Sequence, residues 1–196
     1  MTWTIVGLGN PGEEYEHTRH NTGRMLLAYV AKKYDCTDWQ ENKKTRATLS
    51  RGNIGKETLL LLAPDTFMNK SGIAVSAYVK SAKAAQRLVV VYDDLDLPLG
   101  KMKISFDRGS GGHKGLESII RAIKTKAFAR IRIGVSPATP SGKTKKPSGE
   151  QEVIDFILKE FKEAEMKELK KVFKKAAEAV EVIVTQGLDR AMNEYN

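Results

Sequence analysis

The stretch GLGNPGEEYEHTRHNTG, residues 7–23, follows a short apolar run and places three glycines at the spacing G-x-G-x-x-G. A dinucleotide-binding fold would need the third glycine to open a helix and an acidic residue about 20 positions later, at the end of a second strand. Pro11 lies inside this motif instead, and the amphipathic segment LLAYVAKKYD stands where that strand would be. The context therefore argues against a nucleotide-binding oxidoreductase.

The turn that follows the first predicted strand, residues 3–8, is Asn10-Pro11-Gly12. Proline fixes its own φ and glycine accepts a positive φ, so this tripeptide favours a tight turn. Because ligands of α/β proteins bind at the carboxyl ends of strands, the turn would display Asn10 at a binding edge. The next segment brings further polar side chains to the same region: Tyr15, His17, His20 and Asn21.

Asp93 ends the apolar run RLVVVYD, residues 87–93, which is the most strand-like segment of the chain. At the carboxyl edge of a sheet it would lie near Asn10 and His20, and a carboxylate beside an imidazole fixes its tautomer and stabilises its cation. Asp93 can equally cap a helix or turn, and His20 can be an exposed loop residue. Asn69 is either an N-cap or a group that holds a peptide amide or an oxyanion.

The rest of the chain alternates between strand and helix patterns. We expect strands at residues 47–51, 57–63, 100–106 and 129–135, and helices at residues 23–34, 73–84, 113–124, 151–161 and 164–186. Asn21 or Thr22 can cap the first helix, and residues 136–149 are predicted to be a loop. Residues 1–196 are therefore expected to form one α/β domain with a mixed sheet surrounded by helices, the C-terminal helices packing on the sheet.

Composition limits the class of protein. The chain has 196 residues, enough for a substantial core, and no apolar run near the ~20 residues of a membrane helix. Its N-terminus lacks the basic region and long apolar stretch of a secretory signal. Cys36 is the single cysteine, which excludes an internal disulfide and a cysteine-based metal cluster. These features predict a cytoplasmic protein without a membrane partner.

Positive charge is concentrated in one part of the chain. The net charge is +9, and residues 97–146 contain twelve lysines and arginines against two acidic residues, so this basic block alone carries +10. Such a block is typical of a surface that binds a polyanion, because each cation placed on a phosphate releases counterions. A solvated basic face that keeps the protein soluble would give the same count.

Five motifs occur in order along most of the chain: VGLGNPGEEYEHTRHNTG, TFMNKSG, YDDLDLPLGK, GSGGHKGLESII and RIRIGV. In this combination the sequence resembles the bacterial-type peptidyl-tRNA hydrolases. The resemblance implies a monomeric α/β enzyme that hydrolyses the ester between a peptide and the 3′ end of tRNA, without a metal or organic cofactor. The main alternative is a non-catalytic RNA-binding relative of the same fold; loss of His20 or Asp93 would mark it, and both are present.

The resemblance also implies roles for individual residues. His20 corresponds to the general base, and Asp93 to the carboxylate that keeps this base oriented. Asn10 corresponds to the residue that helps to distinguish blocked peptidyl esters from free aminoacyl esters. Positions that resemble contacts to the 3′ end or to the peptide main chain are Tyr15, Phe67 and Asn69.

Contact with tRNA is where the chain departs from the family pattern. Lys114 stands in GGHKG where the family has an asparagine, and we expect its side chain to point outward, toward an acceptor-stem phosphate that the glycine-rich helix start would also bind. Arg132 resembles a phosphate-binding arginine on a strand. The lysine that the family pairs with this arginine falls on Ser105, whereas Lys103 lies two residues earlier on the same strand face.

The residues fit an ester hydrolase that uses water as its nucleophile. GSGG is not a nucleophile elbow, because Arg108 stands where that motif needs its first glycine. Nothing near Cys36 marks it as a nucleophile, and the sequence has no His-x-x-x-His or cysteine pair to bind zinc. His20 would activate the water, and Asn69 or Asn10 would hold the carbonyl or its oxyanion. An unspecialised ester hydrolase would use the same groups without needing the basic block.

Overall fold

A computed structural model describes residues 1–139 and 144–196. Its strands are β1 (Thr2–Gly7), β2 (Gln40–Asn42), β3 (Ala47–Ile54), β4 (Glu57–Pro64), β5 (Leu88–Pro98), β6 (Met102–Phe106) and β7 (Ala129–Ser136). Within the described residues these seven strands form one sheet in the order β2-β3-β4-β1-β5-β7-β6. β1 is parallel to β4 and β5, and β5 is parallel to β7, whereas β2–β3, β3–β4 and β6–β7 are antiparallel. The sheet is therefore mixed, as predicted.

Helices cover both faces of this sheet. They are α1 (Thr22–Lys33), α2 (Ser71–Ser76), α3 (Ala82–Ala85), α4 (Lys114–Ile123), α5 (Glu150–Ile157), α6 (Glu163–Gln186) and α7 (Leu188–Tyr195), with short 3-10 helices at Glu13–Tyr15, Arg19–Asn21 and Met68–Lys70. Across the two described ranges, no helix is long and apolar enough to cross a membrane.

The central strands are buried on both faces, which explains their apolar sequences. Along β5, Val89 and Val91 pack in the cluster that contains α1 and α6, whereas Val90 and Tyr92 pack in the cluster that contains α2 and α4. Parallel strands between two helical layers are expected to be apolar throughout. Since the long C-terminal helix α6 supplies much of the first cluster, the predicted single-domain α/β fold with C-terminal helices on the sheet is confirmed.

Two glycines of the opening stretch allow α1 to approach the sheet closely. A Cβ atom on Gly23 would lie 2.4 Å from the carbonyl oxygen of Val91, and one on Gly7 would lie 2.4 Å from the carbonyl oxygen of Gly23. Gly12 has a φ of +114°, as the predicted turn requires. The glycine spacing thus serves helix packing at Gly7 and a turn at Gly12.

Two predicted helices are shorter than their patterns suggested. The helix expected at residues 73–84 is interrupted, because Ser81 adopts an extended backbone and its hydroxyl accepts the Ala84 N–H at 3.1 Å, which starts α3 as a new helix. The helix expected at residues 151–161 ends at Ile157, because Glu160 forms a β-bridge with Thr18.

Other boundaries also differ from the sequence predictions. β5 continues past Asp93 to Pro98, and neither β2 nor α7 was predicted. α7 is separated from α6 by Gly187, whose φ of +100° ends the preceding helix. Of the predicted loop at residues 136–149, residues 140–143 lie outside the described part of the chain, and a β-bridge joins Ala138 to Thr144 on either side of them.

Candidate active site

His20 and Asp93 lie together at the carboxyl end of the sheet, as expected from the sequence. The 3-10 helix Arg19–Asn21 leads into α1 and carries His20, while β5 carries Asp93. Nδ1 of His20 lies 3.0 Å from Oδ1 and 3.1 Å from Oδ2 of Asp93, and both side chains are buried. Because a carboxylate can only accept, Nδ1 of His20 carries the proton and its Nε2 keeps a free lone pair.

His113 is a second histidine on the same carboxylate, and it was not among the residues predicted from the sequence. It lies directly before α4, where its Nδ1 accepts the backbone N–H of Leu116 at 3.2 Å and so caps the helix. A neutral imidazole that accepts at Nδ1 carries its proton on Nε2. This Nε2 lies 3.1 Å from Oδ1 of Asp93. Two imidazole N–H groups therefore converge on one buried carboxylate.

These contacts stabilise the charge of Asp93. Burial alone would raise the pKa of this carboxyl, but the attraction and hydrogen bonds of His20 and His113 outweigh burial and hold its pKa well below the usual range. The three side chains also place ligand-type atoms within 4.8 Å of one another, which a metal ion could bridge. Ligation needs a lone pair on each histidine, whereas the Leu116 N–H keeps the His113 proton on Nε2. The cluster is therefore arranged for hydrogen bonding to Asp93.

Asn10 is held by two hydrogen bonds to its backbone and one to its side-chain amide. Its backbone N–H donates to Oδ1 of Asn21 at 2.8 Å, and its carbonyl accepts Nδ2 of Asn21 at 2.9 Å. Oδ1 of Asn10 accepts the Met68 N–H at 2.8 Å, so within the described residues only its Nδ2 remains as an unused donor. Asn21 occupies the N-cap position of α1, as predicted, but its side chain binds the backbone of Asn10 instead of a helix N–H. The Thr22 hydroxyl donates to the carbonyl of Arg19.

Three other predicted contact residues lie on the segments that follow β1 and β4. Phe67 and Asn69 flank Met68, and Phe67 is 60% exposed while Asn69 is also exposed. Asn69 does not cap α2, since Lys70 occupies the N-cap position, so the capping interpretation is wrong and the amide faces solvent. Tyr15 is half-buried at the end of the 3-10 helix that follows the turn.

A groove of about 990 Å³ leads away from His20 and Asp93. β6 and β7 form one wall and α5 forms another. Among the described residues, six cations of the basic block line it: Lys103, Arg108, Lys114, Arg130, Arg132 and Lys146. The basic block thus contributes side chains directly to the neighbourhood of the histidine–carboxylate pair.

The strand register places Lys103 directly opposite Arg132. Burial lowers the pKa of Arg132, but the hydrogen bond from its Nε to Oδ2 of Asp94, at 2.5 Å, and the charge of Asp94 more than reverse this and leave the pKa above its usual value. Ser105 lies opposite Arg130 instead, and its buried Oγ has no hydrogen-bond partner in residues 1–139 and 144–196. Lys103 is therefore the cationic neighbour of Arg132.

Lys114 begins α4 and points outward, as predicted. Its side chain is 68% exposed, and its Nζ lies 3.7 Å from Oε1 of Glu150 on α5. The helix start is less open to a phosphate than the sequence suggested, because His113 already accepts the Leu116 N–H.

Arg130 is a buried cation whose role the sequence analysis missed. Its guanidinium donates to the backbone carbonyls of Gly109 at 2.7 Å and Lys126 at 3.2 Å, and also to that of Arg108. Burial lowers its pKa. These bonds fix the start of the glycine-rich segment that carries His113. For His113 itself a signal existed, because a histidine between glycines and an amphipathic helix stands at an N-cap position.

Known proteins share this sequence and architecture. The sequence profile of the peptidyl-tRNA hydrolase family matches residues 4–196. The peptidyl-tRNA hydrolase of Pseudothermotoga lettingae is 41% identical over 98% of this chain and 95% of its own length. That of Chloroflexus aggregans is 40% identical over 99% of this chain and 98% of its own length. The crystal structure of peptidyl-tRNA hydrolase from Acinetobacter baumannii, 32% identical, matches with a TM-score of 0.88 over 100% of this chain and 94% of that one. The chain therefore belongs to the peptidyl-tRNA hydrolase family.

Proposed function

We propose that this chain hydrolyses the ester bond between a peptide, or an N-blocked aminoacyl group, and the 3′ end of tRNA, releasing the tRNA for reuse in translation. Family membership supports the substrate. One structural observation carries the chemistry: Nδ1 of His20 is held 3.0 Å from the buried Asp93, and both residues line a groove to which the basic block contributes six cations. The proposed reaction uses water and needs no metal or organic cofactor.

His20 is the proposed general base. Since its Nδ1–H is directed at Asp93, its Nε2 can take a proton from water as that water attacks the ester carbonyl. The carboxylate stabilises the imidazolium and stays ionised, because its pKa is held low. The ribose oxygen of the tRNA then leaves with the proton from His20, which restores the neutral base.

Asn10 is proposed to recognise the peptide next to the ester. Its Oδ1 already accepts the Met68 N–H, and among the described residues its Nδ2 has no partner and is available to donate to a ligand. A peptide carbonyl can accept this donor, whereas the ammonium group of a free aminoacyl ester has only donors. This polarity is a physical reason to prefer blocked esters. Asn69, or the same Nδ2 of Asn10, is proposed to hold the ester carbonyl and its oxyanion.

The cationic groove is proposed to bind the acceptor stem. Lys103 and Arg132 lie opposite each other, so they can contact one phosphate from two sides, and Lys114 adds a cation at the mouth of the groove. Phosphate contacts carry no base specificity, which suits an enzyme that accepts many tRNAs. Phe67 and Tyr15 are proposed to contact the 3′ end, where unpaired bases stack on aromatic rings.

The test is release of a labelled acyl group from an N-acetylated aminoacyl-tRNA, run beside the unblocked form. We expect release from the blocked substrate and much slower release from the unblocked one. His20→Ala is the control, and it should lower turnover by ~10²–10⁴ while the protein stays folded. A non-catalytic RNA-binding relative would bind tRNA but release no acyl group from either substrate.

We further propose that the chain acts as a cytoplasmic monomer, as the family resemblance implies. Sedimentation at several concentrations should give the mass of one chain throughout, and a mass that increases with concentration would contradict this.

A further inference from the structure

Arg19 precedes the proposed base and buries its side chain against the segment that joins α5 to α6. Nη1 donates to the backbone carbonyls of Lys159 at 3.1 Å and Glu160 at 2.7 Å. Nη2 donates to both carboxylate oxygens of Glu165, each at 2.8 Å. The side chain is only 7% exposed, so a single buried cation is bound to four oxygens from the far end of the sequence.

Aromatic rings complete the environment of this guanidinium. It lies over the ring of Phe156 on α5, 4.7 Å from the centroid, and over the ring of Phe161, 5.0 Å from the centroid. A planar guanidinium can stack on rings and bind several oxygens in its plane at once, whereas the ammonium of a lysine is a point charge without this fork. The arrangement therefore needs arginine specifically.

The backbone strengthens the same connection. Residues 17–19 and 159–161 pair as two short antiparallel segments around a β-bridge between Thr18 and Glu160. Backbone N–H groups donate across this pair at 3.1 and 3.2 Å, one in each direction. The 3-10 helix that carries His20 is thus tied to the C-terminal end of α5 by both main chain and side chain.

α5 depends on this connection for its position. Val153, Ile154 and Ile157 of α5 line the groove that begins at His20. None of the α5 residues is buried, so packing alone holds the helix weakly. At its other end the contact is the exposed pair of Lys114 and Glu150, and exposed ion pairs contribute little.

We propose that Arg19 is a positioning residue that couples the α5 wall of the groove to His20. The inference rests on the proposed function of that groove. Because Arg19 and His20 are neighbours in one 3-10 helix, a shift of α5 displaces the base, and a shift of the base loosens α5. Docking of tRNA or peptide against α5 and alignment of His20 with Asp93 then become a single event.

Arg19→Lys in the full chain tests this coupling, because it keeps the charge and removes the fork. We expect amide hydrogen exchange in residues 150–157 and in residues 17–22 to accelerate together, by about tenfold. With N-acetylated aminoacyl-tRNA, kcat should fall by about tenfold or more and KM should rise several-fold, because small misplacements of a base are costly. Glu165→Gln, which leaves the carbonyls and rings in place, should give a smaller effect of the same kind.

Arg24→Lys is the matched control. Arg24 is another part-buried arginine, on α1, but its guanidinium binds the Pro64 carbonyl and Asp65 rather than the α5 end. The Arg24→Lys substitution should leave unchanged the amide hydrogen exchange in residues 150–157, kcat and KM.

Two outcomes would overturn the coupling. One is faster exchange in α5 while residues 17–22 and kcat stay as in wild type, because the wall and the base would then be independent. The other is a lower melting temperature in Arg19→Lys, while kcat and KM measured at temperatures well below that melting temperature equal the wild-type values. Arg19 would then have a purely structural role. If the wild-type chain releases no acyl group, the proposed function fails, but joint acceleration of the two segments in Arg19→Lys still supports the coupling and unchanged exchange overturns it.

Discussion

Asp93 accepts N–H groups from two histidines, and this determines what an amide at the same position would do. In Asp93→Asn, an amide with one acceptor oxygen and one NH₂ donor replaces the two acceptor oxygens of the carboxylate. The amide oxygen is expected to stay at the Oδ1 position and accept the Nε2–H of His113, because the Leu116 N–H holds the His113 proton on Nε2. The NH₂ group then stands at the Oδ2 position, which His20 contacts at 3.1 Å, and it disfavours the Nδ1–H tautomer of His20 that leaves Nε2 free to act as base. We expect turnover to fall by ~10³–10⁴ with tRNA affinity nearly unchanged, measured by single-turnover release and by filter binding.

His113→Asn in the Asp93→Asn background checks this explanation. Asparagine is a good N-cap, so residue 113 can still accept the Leu116 N–H while releasing the amide oxygen of residue 93 to His20. The double variant should recover about tenfold of the lost turnover, a coupling that a double-mutant cycle measures. Equal losses of binding and turnover in Asp93→Asn, or no recovery in the double variant, would mean that Asp93 serves the fold instead.

Tyr92 makes the stability of the protein sensitive to alkaline pH. Burial, with a further contribution from Asp94, raises the pKa of its phenol to about 12. An unfolded tyrosine ionises near pH ~10, so the folded state disfavours ionisation. The stabilisation is therefore complete below pH ~10 and is lost as the pH rises toward the folded pKa.

Tyr92→Phe removes the titrating group and leaves the ring. Between pH ~9 and ~12 the free energy of unfolding of wild type, relative to the variant, should fall by roughly 2 kcal/mol. Urea unfolding at several pH values measures this difference. A difference that stays constant across that range would contradict the assignment to Tyr92.

What the sequence could predict at the scale of residues depends on how local the signal is. Asp93 stands at a strand end and His20 shortly after a turn that its residue types mark, so their contact was predictable. Arg19 was not, because its carboxylate partner lies 146 positions away and nothing near it in the sequence indicates burial. His113 was missed for a different reason, since its segment was interpreted through its glycines and lysine alone.

At the scale of elements, α4 shows how a departure from the family pattern acts. Lys114 begins this helix, and its Nζ lies 3.7 Å from Oε1 of Glu150 on α5. Lys114→Asn should raise the KM for tRNA substrate a few-fold and reduce its salt dependence by about one contact. The acid limb of the pH–rate profile should not move, because the charge lies outside the catalytic pair. A limb that moves while binding stays constant would place the Nζ against His20.

Elements differ in how well their patterns predicted them. β1 and β5 are buried on both faces, so their apolar runs left no other interpretation. Residues 159–161 continue a helical pattern but form an extended pair with residues 17–19, a contact that tertiary structure imposes. α3 starts afresh at Ser81, whose hydroxyl competes as a cap with continuation of α2.

At the scale of the whole molecule, net charge and groove geometry both support the proposed role of the groove in tRNA binding. Residues 97–146 carry +10 and the remainder of the chain −1, so attraction of a polyanion is localised. Lys103, Arg132 and Lys114 bring this charge to a groove that His20 and Asp93 also line. An RNA attracted to the basic block is therefore attracted toward the proposed catalytic pair, His20 and Asp93.

Salt dependence measures how much of this charge contacts phosphates. The logarithm of KM should rise linearly with the logarithm of salt concentration, with a slope set by the number of phosphates neutralised. Arg132→Ala and Lys103→Ala should each flatten the slope by about one contact. If the two hold a single phosphate jointly, the double variant should flatten it by less than the sum. Arg132→Ala should also raise KM more than Lys103→Ala does, because it leaves the carboxylate of Asp94 unpaired in the groove.

Lys101→Ala is the control for these measurements. Lys101 belongs to the same basic block and is exposed, but it does not line the groove. Removing it changes the net charge by the same amount as Lys103→Ala, so long-range attraction falls equally while the phosphate contact is kept. We therefore expect the slope of Lys101→Ala to equal that of wild type. If Lys101→Ala and Lys103→Ala flatten the salt slope equally, only the overall charge matters. If the KM of wild type is independent of salt, the basic block serves solubility instead of tRNA binding.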